Sequence, residues 1–387
     1  MNVPMQAAPQ TDGALTLCRF PFAAKGVAVG DTVVGVAVLL DREDKQTRAG
    51  KPMATFTLRN ATGVAAMPVW SEGLPAVAGL AAGMPVLLTA TWASGRGGTA
   101  EWKFEAAEAL PENHPVVLEA QPVAPLTLEQ LRVRTAPMLA VLSADARKLH
   151  DVLLYTPVVW PDGSLEPMRD RFVQAPAATA NHHATIRGLL FHSVQVTGLA
   201  LVTAQELRRT GDAPDLDLDA VVLGAFWHDL GKLDELSWRG SFKYTARAAG
   251  ATHMGWGLCR VTEAVTRAET TTGWQPTTRQ RELIDHLLHI VASHHGQKDW
   301  GALVEPMSRE AWCVSTADQL SAKAQPITDT AGTGVPLAAG YDRVGSGWAG
   351  RTQFISPSAS RPSIKSGEEG VLRLVLPDAE QETTDAA

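Results

Sequence analysis

Nine of the eleven histidines fall between residues 182 and 295. Imidazole is the side chain that binds metals as a neutral base, so this concentration raises the question of what the rings face. The stretch GAFWHDLGKLDEL (224–236) states the problem compactly. An apolar run ends in His228-Asp229, a base and an acid side by side. Left unpartnered in an apolar interior they would be costly, roughly 2–7 kcal/mol for a neutral polar group and more for a charge. Adjacent helical residues splay by about 100°. At a helix terminus, however, both can reach one cation, or the carboxylate can bridge two.

Helical periodicity sorts the other candidates. In TTRQRELIDHLLHIVASHHG (277–296), Thr277 or Thr278 caps the start and Gly296 ends the helix. Ile284, Leu287, Leu288 and Val291 mark its apolar face. His294 and His295 fall on or near the edges of that face and are expected to point inward. His289 lies opposite and His286 to the side, so both are expected in solvent. His192 shares a stripe with Val196, Leu199 and Thr203 and should face the core. LDAVVLGAFWHDLGK (218–232) is apolar on nearly every side, the mark of a central buried helix. His253 in GATHMGWG opens a further helix, and Asp318 in EAWCVSTADQLSAK lies late on another. A lone histidine is more often a satisfied core or surface residue than a ligand. Taken together, these imidazoles and carboxylates suit Mn, Fe, Co, Ni or Zn, and no cysteine belongs to the set.

The elements that must position this set fill the second half of a chain of 387 residues, long enough for two domains. Residues 1–28 read as a flexible leader. Residues 29–110 are expected to be all-β: DTVVGVAVLL, a charged turn around Ala49-Gly50, ATFTLRN, ATGVAAMPVW, MPVLLTATWAS and AEWKFEAAEAL. Strand, basic hairpin, strand, glycine turn, strand, small helix and closing hairpin is the order of an OB-fold barrel. Prolines between 111 and 126 mark a linker. Helical spacing runs from 127 to about 325, an all-α domain. Residues 326–387 are rich in Gly, Ser, Thr and Pro and read as a mobile tail to which GVLRLVLP could add one strand.

Net charge is −7, which excludes a protein that coats nucleic acid by bulk electrostatics but not one with a local basic groove. The run Arg42, Lys45, Arg48 and Lys51 is compatible with a hairpin that tracks a backbone. Trp70, Trp92 and Trp102 could stack bases, although core packing is the commoner use of each. No uninterrupted apolar stretch reaches the ~18 residues of a membrane span. The N-terminus lacks the basic start and apolar core of a signal peptide. Cys18, Cys259 and Cys313 form neither a disulfide framework nor a Cys-x-x-Cys site. A cytoplasmic protein with reduced thiols is expected.

The ordered segments FVQAPAATANHHATIRGLLFHS (172–193), HDLGKLDEL (228–236), FKYT (242–245), SHHGQKDWG (293–301) and EAWCVSTADQLSAK (310–323) resemble HD-domain phosphohydrolases. More specifically, they resemble 3′–5′ exoribonucleases of the YhaM type, which also carry an N-terminal OB-fold. The likeness covers about 29–325, and one departure is that His253 sits in ATHMG rather than in a Gly-His setting.

The resemblance implies that His192, His228, Asp229, His253, His294 and Asp318 are metal ligands, with Asp229 as the bridge and His295 as an extra ligand or a supporting group. It implies two divalent cations, Mn first, with Co, Fe, Ni, Mg or Zn as alternatives, and a metal-activated water as nucleophile. Lys232 would place positive charge on a non-bridging phosphate oxygen, or serve only as a cation at a helix end. His182 and His183 would touch substrate phosphate or protonate a leaving group, or simply shape a loop. The implied partner is single-stranded nucleic acid, RNA before DNA, read by the barrel through Arg42, Lys45, Arg48, Lys51 and Trp70. A homo-oligomer is compatible with all of this. Two alternatives stand beside it. One is hydrolysis of a small nucleotide, with the barrel as an assembly module. The other is a non-catalytic nucleic-acid-binding role, because NHHATIRGLLFHS also resembles the HD region of a class of plasmid-mobilisation relaxases.

Overall fold

The computed structural model describes residues 19–329 except 96–97, 113 and 180–182, together with short strand segments between 335 and 375. Five strands come first: β1 (Thr32–Gln46), β2 (Pro52–Asn60), β3 (Gly63–Trp70), β4 (Pro85–Ser94) and β5 (Ala100–Ala109). They form one antiparallel sheet in the order β3-β2-β1-β4-β5. Strand β1 is long because it is shared. Its first half pairs with β4 and its second with β2, with a register irregularity between Leu39 and Asp41 where the pairing changes hands. Such an irregularity bends and twists a strand, and the sheet curls until β3 and β5 approach each other. A short 3-10 turn, Leu74–Val77, sits between β3 and β4. The result is an OB-like barrel.

Strand β2 shows why these residues choose this form. Ala54, Phe56, Leu58 and Asn60 are buried and the residues between them only partly so, the period of two that a half-buried strand requires. Asn60 can sit inside because its amide donates to the carbonyls of Phe20 and Val36, both at 2.8 Å. The charged run after Leu40 belongs to β1 itself, and the turn comes later, where Thr47 and Lys51 close it.

The leader is shorter than its composition suggests. Phe20 and Phe22 are inside the barrel, packed with Trp102, and Arg19 bridges to Val36. Two phenylalanines bury enough apolar surface to hold a segment whose neighbours read as polar. The proline-rich linker is ordered too. Helix α1 (Pro115–Ala120) buries Val117 and Ala120, and its last carbonyl accepts from Ala61 of the barrel.

The helical part follows. α2 (Leu128–Leu139) begins with a capping box in which the Thr127 and Gln130 side chains each accept from the other's backbone N–H. Next come α3 (Ala144–Tyr155), the hairpin β6 (Pro157–Val159) and β7 (Leu165–Pro167), and α4 (Met168–Phe172). α5 (Gly188–Thr210) and α6 (Leu218–Trp227) lead to α7 (Lys232–Glu235), the hairpin β8 (Leu236–Ser237) and β9 (Lys243–Tyr244), and α8 (Ala246–Gly250). Three longer helices close the domain: α9 (His253–Thr272), α10 (Thr278–Ser293) and α11 (Arg309–Asp329). As its composition demands, α6 is central. Every residue from Ala220 to Trp227 is buried, with α5, α10 and α11 around it. Trp227, Phe172, Trp160 and Leu149 anchor the largest core cluster.

The barrel rests on the β8–β9 hairpin. Ser241 N–H donates to Gly83 O at 3.3 Å, Gln121 donates to Gly240 O, and Lys243 pairs with Glu112 at 2.6 Å. Beyond α11 come five short strands, β10 (Val335–Pro336), β11 (Asp342–Ser346), β12 (Thr352–Ile355), β13 (Ser363–Ser366) and β14 (Leu372–Val375). Only the last of these was expected. Among the described residues no helix is long and apolar enough to cross a membrane.

Candidate metal centre

Helix ends build the site. α6 stops at Trp227 and presents His228 as its C-cap, with the ring Nδ1 donating to Ala225 O at 2.8 Å. α10 stops at Ser293 and presents His294 in the same way, Nδ1 donating to Val291 O at 2.9 Å. His253 opens α9. Gly231, two residues past Asp229, lies so close to it that an added Cβ would come within 1.8 Å of the His253 carbonyl. Only glycine permits that contact, and it locks the start of α9 onto the loop that carries Asp229. α5 contributes His192 and α11 contributes Asp318.

The Asp229 carboxylate lies between two groups of rings. Its Oδ2 is 3.2 Å from His192 Nε2 and 3.3 Å from His228 Nε2. Its Oδ1 is 3.5 Å from His253 Nε2 and 3.6 Å from His294 Nε2. Asp318 completes the first group, with Oδ1 3.1 Å from His192 Nε2 and 3.7 Å from His228 Nε2. His295 completes the second, with Nε2 3.2 Å from that of His253. Within each of three overlapping triads the ligand atoms lie within 4.8 Å of one another: His192-His228-Asp229, His228-His294-Asp318 and His253-His294-His295.

These rings are held by their far nitrogens. A carbonyl only accepts, so Nδ1 carries the proton in His228, His294 and His295, the last donating to Trp300 O at 2.8 Å. His253 Nδ1 faces Glu235 Oε2 at 3.0 Å, and His192 Nδ1 faces Ser321 Oγ at 3.3 Å. Their Nε2 lone pairs therefore converge. His228 and His192 point them at each other across 3.2 Å, as do His253 and His295, while the buried His294 Nε2 has no hydrogen-bond partner. Without a cation His228 Nε2 takes up a proton, because Asp229 and Asp318 favour the charged ring; between His253 and His295 the facing lone pairs repel unless a cation sits between them. Oriented imidazoles whose outer N–H groups are anchored in this way are how proteins prepare metal ligands.

Charge makes the same demand. Burial alone would raise the Asp229 carboxyl, but Lys232 and His228 hold it well below the usual carboxylate range. Asp318 is likewise held low against burial by His192 and His228. Burial opposes a proton on His228, yet Asp229 and Asp318 outweigh it and lift the ring to about 10. Burial dominates at His253, His294 and His295 and lowers all three. Two carboxylates thus draw positive charge to their own side, while the other rings stay neutral bases. His and Asp clusters of this kind can hold divalent cations.

Lys232 does not sit at the C-terminal end of α6. It opens α7, with Nζ 2.7 Å from Asp229 Oδ2. His183 is buried, its Nε2 3.2 Å from Gln195 Oε1 and its ring beside that of His192. His182 lies outside the described residues. Glu235, Gln195 and Ser321 escaped the sequence reading, although each was within reach of it. Glu235 shares the HDLGKLDEL stretch, and Gln195 and Ser321 lie three residues beyond His192 and Asp318, on the same helical faces. Ser321 Oγ also donates to Gln195 Oε1 at 3.0 Å.

Several expectations need correction. Arg42 is not available to a nucleic-acid backbone. Its Nη1 donates to the carbonyls of Val77, Ala78 and Leu80, and its guanidinium stacks on Phe56. Val77 O also accepts from Leu80 N–H, and the arginine adds a donor to it and supplies one to Ala78 O and Leu80 O. Lys45 pairs with Glu43 at 2.7 Å, while Arg48, Lys51 and Trp70 are exposed. Trp102 is core, its indole N–H donating to Phe22 O at 3.1 Å. His286 and His289 are only partly exposed. His286 Nε2 is bonded to Ser308 Oγ at 2.7 Å, and His289 Nε2 accepts from Met307 N–H at 3.0 Å. Together they fasten the loop before α11, whose long-range fold no helical wheel reports.

Comparison with known proteins agrees with this geometry. Residues 189–323 match the HD domain family. Among curated proteins, the 3′-5′ exoribonuclease YhaM of Bacillus licheniformis is 36% identical over 152 residues, covering 39% of this chain and 44% of that protein. YhaM of Bacillus subtilis is 33% identical over the same coverage. YhaM of Bacillus pumilus is 35% identical over 159 residues, 41% of this chain and 46% of its own. The chain spans less than half the length of the curated relatives it matches. Its helical part matches the HD domain family over residues 189–323 and is similar to YhaM.

Proposed function

We propose that this protein is a metal-dependent phosphodiesterase, a 3′–5′ exonuclease on single-stranded nucleic acid with RNA as its first substrate. The observation that supports it most is Asp229, which turns one oxygen to each of two groups of inward-facing imidazoles. In this reading His192, His228 and Asp318 would hold one divalent cation and His253, His294 and His295 a second, with Asp229 within reach of both. Manganese suits the mixture of imidazole and carboxylate. Bound cations supply the positive charge that acidifies a water and neutralises phosphoryl oxygens.

The chain's own residues do the rest. Glu235 and Ser321 fix the tautomers of His253 and His192. Lys232 neutralises Asp229 and places its ammonium where a non-bridging phosphate oxygen would arrive. His183, held by Gln195 in the loop before α5, stands beside His192 to contact substrate. RNA is favoured because the relatives that share the helical part are named exoribonucleases. The barrel, seated on the hairpin between α7 and α8, would deliver the strand, with Arg48, Lys51 and Trp70 on its accessible surface. Cys259 and Cys313 are free thiols, consistent with a cytoplasmic setting.

The test incubates the protein with single strands labelled at the 3′ or the 5′ end, in Mn²⁺ or in EDTA. Mononucleotides leaving stepwise from the 3′ end, only with metal, are expected. Full activity in the double variant His228→Ala/Asp229→Ala would overturn the proposal. Cleavage of mononucleotides alone would redirect it to small nucleotides.

A further inference from the structure

Two of the elements that end in the centre also build its rim. After His295 the chain turns back through a 3-10 turn, Lys298–Trp300, closed by Gly301 in the left-handed region at φ 97°. His295 Nδ1 donates to the Trp300 carbonyl, so the indole is placed by the same bond that orients the imidazole. Unlike Trp102, Trp160 and Trp227, which are 6%, 2% and 0% exposed, Trp300 is 38% exposed. Part of the indole therefore faces solvent, where an aromatic ring can also meet a ligand. From the other side comes α11, which carries Asp318 and Ser321. Its Lys323 sets Nζ 5.2 Å above the centre of the Trp300 ring. A second bond, to Gln319 Oε1 at 3.3 Å, steadies that ammonium.

An aromatic face beside a cation, at the edge of a centre suited to phosphoryl chemistry, is the pairing that single-stranded nucleic acid requires. Bases stack on aromatic rings regardless of sequence, and ammonium groups track phosphates. We propose that Trp300 and Lys323 form a nucleotide subsite at the rim. The terminal base stacks on the indole. Lys323, which covers that face by a cation–π contact, moves to the adjacent phosphate as the base arrives. The subsite accepts any base, because stacking reads the π-face and not the hydrogen-bonding edge. This rests on the nucleic-acid reading above but is separable from it.

The experiment uses the full chain with Mn²⁺. Substrates are single-stranded oligoribonucleotides ending in a normal 3′ nucleotide or in an abasic one. Wild type is expected to prefer the base-bearing end in kcat/KM, mostly through KM. Trp300→Ala should reduce that preference by about 5- to 150-fold, the span of base–aromatic stacking. Trp300→Phe should retain most of it. Lys323→Ala should lower the slope of log affinity against log salt by about one. Trp312→Ala, an exposed tryptophan on the same helix, is the control and should leave the preference intact.

An unchanged preference in Trp300→Ala, with Mn²⁺ affinity intact, overturns the subsite. If wild type cleaves neither oligonucleotide, calorimetry decides with the same proteins. Nucleoside 5′-monophosphates should bind tighter than ribose 5-phosphate, and Trp300→Ala should remove the difference. Equal binding of the two overturns the subsite, and the missing cleavage counts separately against the exonuclease.

Discussion

Asp229 and Asp234 lie five residues apart, and both are buried, yet their surroundings differ in kind. Asp234 is saturated by protein. Arg260 grips it through Nε at 2.6 Å and Nη2 at 2.7 Å, and Arg247 approaches at 3.3 Å. Arg260 is itself fully spent, with Nη1 on Val159 O and Glu263 and its plane over Trp160. Both Asp234 oxygens accept from the Arg260 guanidinium, so the carboxylate itself calls for nothing further. Asp229 faces imidazoles whose Nδ1 protons are taken by backbone carbonyls or other side chains and whose Nε2 atoms turn toward it. It has Lys232 beside it, yet its Oδ2 finds no partner in hydrogen-bonding geometry. A buried carboxylate closed by a guanidinium fork is a clamp. One ringed by lone pairs is prepared for a cation. Burial alone does not distinguish the two; counting protons does.

Exchanging one carboxylate at a time separates these roles. Asp229→Asn should reduce metal-dependent turnover by more than about 10²–10³-fold, the scale of removing one preorganised electrostatic group. It should also abolish stabilisation by Mn²⁺ in thermal melts. Urea unfolding without metal should also show a loss, because Lys232 and His228 lose their nearest carboxylate. Retained stabilisation by Mn²⁺ would mean that Asp229 is a clamp and not a ligand.

The converse change is Arg260→Met, which strands Asp234. It should cost about 3–5 kcal/mol in urea unfolding. Mn²⁺ affinity, measured by calorimetry under conditions where the variant is folded, should hold. Selective loss of metal binding would erase the distinction between the two sites.

A third buried group shows the pattern of an imidazole kept neutral for packing. His150 accepts from the Trp227 indole at 3.2 Å, and burial lowers its pKa to about 4. The folded value lies below the unfolded value of about 6.5, so the unfolded chain takes the proton first as pH falls. Stability is unaffected above pH 6.5 and declines as pH drops toward 4, by about 3 kcal/mol in all. His150→Gln keeps an acceptor for Trp227 and removes the titration. Its urea stability should fall less steeply across that window than that of wild type, and parallel curves would contradict the assignment.

The smallest expected effect is at the outer support of the centre. Ser321→Ala leaves His192 Nδ1 without its hydroxyl and should weaken Mn²⁺ binding by about 10- to 100-fold. Ser321→Thr should restore most of it. No change in affinity would place Ser321 with the clamps rather than with the centre.

Much of this was readable beforehand wherever contacts repeat along the chain. The faces of α5 and α10 placed His192, His294 and His295 correctly because helical spacing alone decides which residues share a side. The alternation in β2 likewise revealed a barrel strand. The misreadings share one cause. Phe20 and Phe22 looked like leader, Pro115–Ala120 like linker, Arg42 like a ligand for phosphate, and His286 and His289 like solvated rings. In each case the partner lies far away in sequence or outside any period. Gln195, Ser321 and Glu235 needed one further step, the recognition that a ligand requires an anchor for its other nitrogen.

By itself the sequence determined the chemistry of the centre: imidazoles and carboxylates at the ends and on the inner faces of helices, without thiolates. Those are properties of residue type and of the 3.6-residue turn, and they survive any arrangement of the helices. Only the tertiary structure decided that one carboxylate divides its oxygens between two sets of rings, and that Asp234 is closed while Asp229 is not. Such distinctions turn on a few tenths of an ångström between helix termini. Those separations are set by close packing, above all by Gly231 against the start of α9, and no local pattern encodes them.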